Sequence, residues 1–322
     1  MRVGVIGAGA YGLALTNILV KNKNKVMLCA HTAESKDNLV ITRRSRKLPN
    51  FTLPDSVYVT DNLDKAVCDK DLVVIAVPAF AFEETVKKIS KFIKKSVPVL
   101  IATKGIQQET CLFLHDIFEK NLKNPYAVIA GPTFARDMIY DVPIGLSLAT
   151  KSKSAELMVR KCFENEKTKF RTTKDIIGVE ICASVKNVMA IASGMLEGMN
   201  ITDSTRALFL TESMNDIKEL IDALGGNKKT ILSFAGFGDI LMTCTSPKSR
   251  NFNYGFLIGR GDTKSQLDDF LKTYTVEGMY TLKSIHKLVK RKKVKMPIIN
   301  LIYDIVNGKK HKEEMLKFLI EK

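Results

Sequence analysis

The sequence predicts an α/β N-terminal half, built on a doubly wound and mostly parallel sheet, followed by an all-α C-terminal half. Three observations carry this expectation. A strand-like run, Arg2 to Ile6, leads straight into Gly7, Gly9 and Gly12 in the spacing G-x-G-x-x-G, and an apolar helical pattern begins directly behind them. Strand and helix patterns then alternate as far as Thr173. Beyond residue 175 strand-like runs all but vanish and helical periodicity takes over.

The glycine turn is the most informative element. Strand, glycines and helix start in that order form a Rossmann-like dinucleotide site. Gly7 permits the tight turn, Gly9 lets a pyrophosphate reach the backbone, and Gly12 lets the helix pack closely on the strand. The helix N-terminus offers unbonded N–H groups and a positive dipole end to phosphates. A second strand reads across 25–30, and at its end an NAD-selecting site would carry Asp or Glu. Here stand His31 and Thr32, with Arg43, Arg44 and Arg46 downstream. No acid repels a 2′-phosphate, so NADH and NADPH are both admitted. The three arginines fit either a phosphate contact or a solvated basic loop.

Further strands are expected at 57–60, 71–78, 97–103, 126–130 and 144–150, with helices at 80–95, 109–122 and 152–165. The continuous apolar run through 72–77 suits a central strand buried on both faces. Ligands of such sheets sit beyond the carboxyl ends of the strands, and Lys104 and Gly131-Pro132-Thr133 fall on that edge. The expected domains are 1–174, binding the dinucleotide, and 175–322, all-helical.

In the second half, helices are expected at 175–199, 203–224, 251–260, 264–272, 277–292, 297–307 and 312–321. Within the first of these, Lys186, Ala190, Gly194 and Gly198 recur every four residues and share one face. Interior glycine costs a helix about 1 kcal/mol relative to alanine, so the stripe calls for a close neighbour, either a backbone or a ligand. Gly236-Phe237-Gly238-Asp239 reads as a turn presenting a carboxylate. Ser249 can cap the following helix, and Arg250 in its first turn would create a phosphate site.

Composition narrows the class. A chain of 322 residues, 45% hydrophobic, suggests two ordinary globular domains. No uninterrupted apolar run approaches the roughly 18 residues of a membrane helix, so the chain is not expected to be membrane-embedded. An N-terminus that enters a strand at once leaves no room for a signal peptide. Six cysteines, at least 20 residues apart and forming no cluster with the four histidines, suit reduced thiols in a cytoplasm and provide no metal-ligand cluster. The net charge of +16 raises the question of nucleic acid. Lysine dominates, aromatics make up only 7%, and no basic–aromatic alternation offers a stacking platform, so nucleic acid is not expected as the main partner.

Taken together, the motifs resemble those of the bacterial-type NAD(P)-dependent glycerol-3-phosphate dehydrogenases over nearly the full length. The matching stretches are Gly7-Ala-Gly-Ala-Tyr-Gly12, Ala102-Thr-Lys-Gly105, Ala130-Gly-Pro-Thr-Phe-Ala135, Val185-Lys-Asn-Val188, Gly236-Phe-Gly-Asp239, Ser249-Arg-Asn251 and Val276-Glu-Gly278. The resemblance implies a homodimer using NAD(P)H on a small phosphorylated three-carbon substrate, dihydroxyacetone phosphate. It implies Lys186 as the catalytic proton carrier, with Lys104 touching both substrate and cofactor. It places Gly131, Thr133, Asp239, Ser249, Arg250 and Asn251 on the substrate, and Ala10, Tyr11, His31, Ala135, Arg250, Thr275 and Glu277 on the cofactor. The stretch 203–213 departs from the family pattern. Two rival readings are another two-domain dehydrogenase acting on a hydroxy acid or sugar acid, and a dinucleotide-binding sensor without turnover.

Overall fold

The computed structural model describes residues 1–321. The chain forms two compact units: Met1–Lys104 with Leu114–Ile176, and Gly105–Phe113 with the chain from Ile177 onward.

The first unit is built in order from β1 (Arg2–Ile6), α1 (Ala10–Lys21), β2 (Lys25–Cys29), α2 (Ala33–Thr42), β3 (Tyr58–Thr60), α3 (Leu63–Val67), β4 (Leu72–Ile75) and α4 (Ala79–Ile89). It continues with β5 (Val99–Ile101), α5 (Leu114–Asn121), β6 (Tyr126–Ala130), β7 (Ile144–Ala149), α6 (Lys153–Phe163) and β8 (Thr168–Thr173). The eight strands lie in the order β3-β2-β1-β4-β5-β6-β7-β8. All neighbouring pairs are parallel except β6 with β7. Strand order reverses between β1 and β4, which makes their carboxyl ends the switch point where such sheets bind ligands. Every residue of β4 and β5 is buried, as continuous apolar strands covered on both faces require. On α4, Phe82, Val86 and Ile89 share one face and are fully buried. Each such side chain stabilises the unit by about 1.5–3 kcal/mol.

Three elements of the first unit escaped the sequence expectation: α2, α3 and β8. The first two have little apolar periodicity, and Leu39 is the single buried residue of α2. Strand β8 does alternate, with Thr168 and Phe170 inward and Lys169 and Arg171 exposed, but its polar, edge-strand composition hid it. The helix expected from 109 begins only at Leu114. Residues Gly105–Phe113 leave the first unit altogether, although the boundary at 174/175 would place them inside it. Ile106, Cys111 and Phe113 are buried in the core of the second unit, and an isolated bridge between Ile106 and Phe113 closes the excursion on itself. Cys111 turns the chain there at φ +59°.

The second unit contains α7 (Ile176–Gly198), α8 (Asp203–Ala223), α9 (Asp239–Thr245), α10 (Arg250–Arg260), α11 (Lys264–Thr273), α12 (Glu277–Arg291), α13 (Pro297–Val306) and α14 (Glu314–Glu321). Helix α7 is long and apolar enough to cross a membrane, but 94% of its most apolar window is buried within the protein. It is the axis of this unit's core. The departing stretch 203–213 is the first half of α8, and its Arg206 pairs with Glu197 of α7 and with Asp203.

The close neighbour demanded by the glycine stripe on α7 is backbone. A Cβ on Gly194 would lie 2.0 Å from the carbonyl oxygen of Phe252, and one on Gly198 would lie 2.2 Å from that of Phe256. Helix α10 answers with its own pair: a Cβ on Gly255 would lie 1.8 Å from the Ile191 oxygen, and one on Gly259 would lie 2.0 Å from the Met195 oxygen. Two G-x-x-x-G faces let the helices touch main chain to main chain.

Candidate active site

In the first unit, the glycine turn behaves as its spacing predicts. Gly7 has φ +111°, a left-handed conformation that a side chain would strain, and its hypothetical Cβ would meet the Ala76 oxygen at 2.5 Å. Gly7 and Ala76 follow β1 and β4, so the turn sits on the switch point. A Cβ on Gly12 would clash with the Gly7 oxygen at 1.9 Å, which is the close helix–strand packing expected of the third glycine. Gly9 is different: nothing lies within 4 Å of its Cβ position. It is also the N-cap of α1 and brings no side-chain cap to the first N–H groups. Backbone open to an approaching group, at the start of a helix, fits a dinucleotide pyrophosphate.

Lys104 follows β5 at the same edge. Thr103 before it is fixed to the end of β4, its N–H to the Ile75 carbonyl at 3.1 Å and its hydroxyl to the Val77 carbonyl at 2.8 Å. The Lys104 ammonium lies over the Tyr11 ring, 5.2 Å from its centre, so Tyr11 holds this cation through its π face. The Tyr11 hydroxyl is buried and has no partner among the described residues. The same holds for the hydroxyl of Thr133, a residue only 6% exposed. A Cβ on Gly131 beside it would lie 2.7 Å from the Gly145 carbonyl oxygen, and the Gly131 carbonyl accepts from the Thr133 N–H at 2.8 Å. Ala10 and Ala135 are half-buried, and His31 is exposed just ahead of Thr32, which caps α2. Arg43 is engaged elsewhere, with the Val57 carbonyl and Asp55, while Arg44 and Arg46 are exposed.

In the second unit, Lys186 is 5% exposed and its ammonium stands 2.5 Å from Oδ1 of Asp239, which is fully buried. Asp239 is not on a turn, as its flanking glycines suggested. It opens α9, directly after the π-helical turn Phe234–Gly238. The Thr243 hydroxyl, one helical turn on, bonds the Asp239 carbonyl at 2.6 Å and lies 3.3 Å from Oδ1. An apolar core around an ion pair carries a large desolvation penalty, so both charges depend on each other. Ser249 caps α10 as expected, accepting from the Phe252 N–H at 3.2 Å. Arg250 in the first turn of α10, Thr275, and Glu277 at the start of α12 are exposed.

Asn251 joins three helices. Its Nδ2 donates to Oδ1 of Asn187 at 3.0 Å, and its Oδ1 accepts from the Gly278 N–H at 2.8 Å. A Cβ on Gly278 would lie 2.6 Å from the Asn187 carbonyl oxygen. Asn187, Thr243 and Gly278 thus support the site without having been assigned a part from the sequence. For Gly255 and Gly259 the signal was present, a second G-x-x-x-G spacing on the helix that Ser249 begins.

The family model described as NAD-dependent glycerol-3-phosphate dehydrogenase N-terminus matches residues 2–156, and the corresponding C-terminus model matches residues 175–317. A glycerol-3-phosphate dehydrogenase (NAD(P)+) of Fusobacterium nucleatum is 34% identical over 326 residues, covering 99% of this chain and 96% of that one. One from Halorhodospira halophila is 34% identical with the same coverage. Among solved structures, glycerol-3-phosphate dehydrogenase from Coxiella burnetii superposes with a TM-score of 0.94 at 27% identity, covering 100% of this chain and 99% of that one. A ketopantoate reductase from Ralstonia eutropha, at TM-score 0.62 and 16% identity, shares the fold alone. The chain belongs to the NAD-dependent glycerol-3-phosphate dehydrogenase family.

Proposed function

We propose that Lys186, held by Asp239, is the proton carrier of the family reaction in this chain, with Lys104 as the second cation. The enzyme interconverts dihydroxyacetone phosphate and sn-glycerol 3-phosphate with NAD(P)H, supplying glycerol phosphate for phospholipid synthesis. The nicotinamide, when bound, supplies or accepts the hydride. Gly7, Gly9, Ala10, Tyr11 and Gly12 would hold the dinucleotide, and His31, Ala135, Arg250, Thr275 and Glu277 are its further proposed contacts. Dinucleotide binding is assigned mainly to residues 1–174 outside Gly105–Phe113, and the proton and phosphate chemistry mainly to 175–322.

The single observation that supports this reading best is the buried ion pair at 2.5 Å. Reduction of the ketone puts negative charge on the oxygen of carbon 2, and a positioned ammonium can neutralise it and deliver a proton. Lys186 is buried against an anion, and that neighbour favours the ammonium over the free amine. Lys186 is therefore set up as an acid in the reducing direction. Thr133 brings a buried hydroxyl with no protein partner, fit to bond a substrate oxygen. Ser249, Arg250 and the start of α10 would hold the phosphate. Asn251 spends its oxygen and one amide hydrogen on Gly278 and Asn187, leaving one hydrogen to donate.

Lys186→Ala should lower kcat with dihydroxyacetone phosphate by roughly 10²–10⁴, the usual worth of a positioned acid–base group. Cofactor oxidation at the wild-type rate by the purified variant would remove Lys186 from the mechanism. We also propose a cytoplasmic homodimer. Exposed Leu232, Phe237 and Leu241, on successive turns around the Asp239 segment, support a self-association face. Light scattering should then give twice the 35.9 kDa chain mass.

A further inference from the structure

We propose that the C-terminal end of α12 and the turn after it form a docking surface for membranes rich in anionic phospholipid. Seven cations fall within thirteen residues: Lys283, Lys287, Lys290, Arg291, Lys292, Lys293 and Lys295. No Asp or Glu occurs anywhere from 278 to 303. All seven side chains are exposed.

The cluster lacks anionic company. Several surface lysines elsewhere are paired: Lys87 with Glu83, Lys94 with Asp69, Lys228 with Glu219 and Asp222, and Lys272 with Asp269. Among the described residues, none of the seven has a carboxylate within 4.0 Å. Two are pinned by neutral groups, Lys287 to the Glu109 carbonyl at 3.0 Å and Arg291 to the Thr110 carbonyl at 3.2 Å. Their charge is thereby fixed in place but not neutralised. The field is felt nearby: burial first, and then Lys290, hold the His286 imidazole below its ordinary range. Like charges spaced four apart on a helix, such as Lys283, Lys287 and Arg291, repel one another and weaken it. An external anion removes that repulsion.

The shape suits a lipid surface. Buried Val289 and Met296 and half-buried Val294 floor an open depression of about 420 Å³, with Lys290, Lys293 and Lys295 around it. No carboxylate lines this depression, whereas the adjoining one mixes Asp304, Glu314 and Glu321 with Lys310 and Lys317. Nucleic acid is the weaker fit. Six of the seven cations are lysines, which lack the guanidinium fork, and Tyr280 and Tyr303 are the only aromatics from 278 to 303. Tyr303 is already stacked on His286 at 3.8 Å. The apolar face of α12 is spent on the core through Leu282, Ile285 and Leu288, so attachment would be electrostatic and reversible, without insertion. The reaction gives this placement a purpose. Glycerol 3-phosphate enters lipid only when its hydroxyls are acylated, and the acylated products reside in the bilayer.

The test is co-sedimentation of the full chain with vesicles of phosphatidylcholine alone or mixed equally with phosphatidylglycerol. The chain should bind only the anionic vesicles, and less as salt is raised. A lysine near an anionic surface is worth about fivefold in affinity, so combined Lys290→Gln, Lys292→Gln, Lys293→Gln and Lys295→Gln should weaken binding at least about tenfold. Turnover on dihydroxyacetone phosphate should not change, because none of the four belongs to the catalytic machinery. The control removes equal charge elsewhere, at exposed Lys91, Lys95, Lys151 and Lys169. Equal loss in the control, equal binding to neutral vesicles, or binding to duplex DNA but not to vesicles would each overturn the proposal.

Discussion

Gly9 and Gly255 look alike in the sequence, each standing in a short run with other glycines. A Cβ at Gly9 would meet nothing within 4 Å, whereas at Gly255 it would lie 1.8 Å from the Ile191 carbonyl oxygen. One glycine leaves room for something that arrives; the other is consumed by a neighbour already there. The cost of the two also differs. Interior glycines weaken a helix by about 1 kcal/mol each, and α7 and α10 recover this through the closeness of their backbones. The glycine turn after β1 has no such internal return at Gly9, where the open space fits the proposed dinucleotide contact. A glycine spacing therefore does not reveal its purpose; the space in front of it does.

Three substitutions probe that contrast. The largest effect is expected of Gly255→Ala, which drives a methyl into backbone that has no side chain to move aside. Denaturant unfolding should show a loss of about 3 kcal/mol, the upper end of ordinary overpacking. A loss below half of that would mean that α7 and α10 can part cheaply. Next comes Gly9→Ala. Its backbone, φ −77° and ψ 174°, is one that alanine adopts readily, so stability should hold within about 0.5 kcal/mol. Cofactor affinity should nevertheless fall about tenfold, or about 1.4 kcal/mol, because the methyl occupies the pyrophosphate approach. Unchanged NADH and NADPH affinity would separate Gly9 from the cofactor. The smallest effect belongs to Tyr11→Phe. Removing a buried hydroxyl that has no protein partner should leave the unliganded enzyme as stable, or more stable by less than about 1 kcal/mol. Thermal unfolding with and without cofactor would show whether the hydroxyl finds its partner in the bound state.

The division of the chain into an α/β half and a helical half was legible because periodicity and burial agree along most elements. The apolar run of β4 and the stripe of α4 are unambiguous, since each buries a whole strand or a whole helical face. Elements whose stability comes from neighbours were not legible. The edge strand β8 is polar on its open side, and α2 buries a single leucine. The site divides similarly. Lys104, Lys186, Asp239 and Arg250 stand in motifs that can be read directly. That Asp239 is the anion against Lys186 could not be read, because 53 residues separate them and only the packing of α9 on α7 brings them together. The stripe on α7 left ligand and backbone equally open, and Gly255 and Gly259 close the question in favour of backbone.

The excursion at Gly105–Phe113 has a practical bearing on how this protein can be taken apart. The chain passes from one unit to the other at 104/105, returns at 113/114, and leaves for good at 176/177. A gene fragment ending at residue 174 would therefore carry Ile106, Cys111 and Phe113 with nothing to cover them, and would be sticky rather than soluble. A clean excision of the nucleotide-binding part requires replacing those nine residues with a short polar bridge, while the helical part expressed alone would lack three of its own core side chains. Separate evolution or exchange of the two halves is hampered for the same reason, because a crossover at any single point leaves one recipient with a piece of the other's interior.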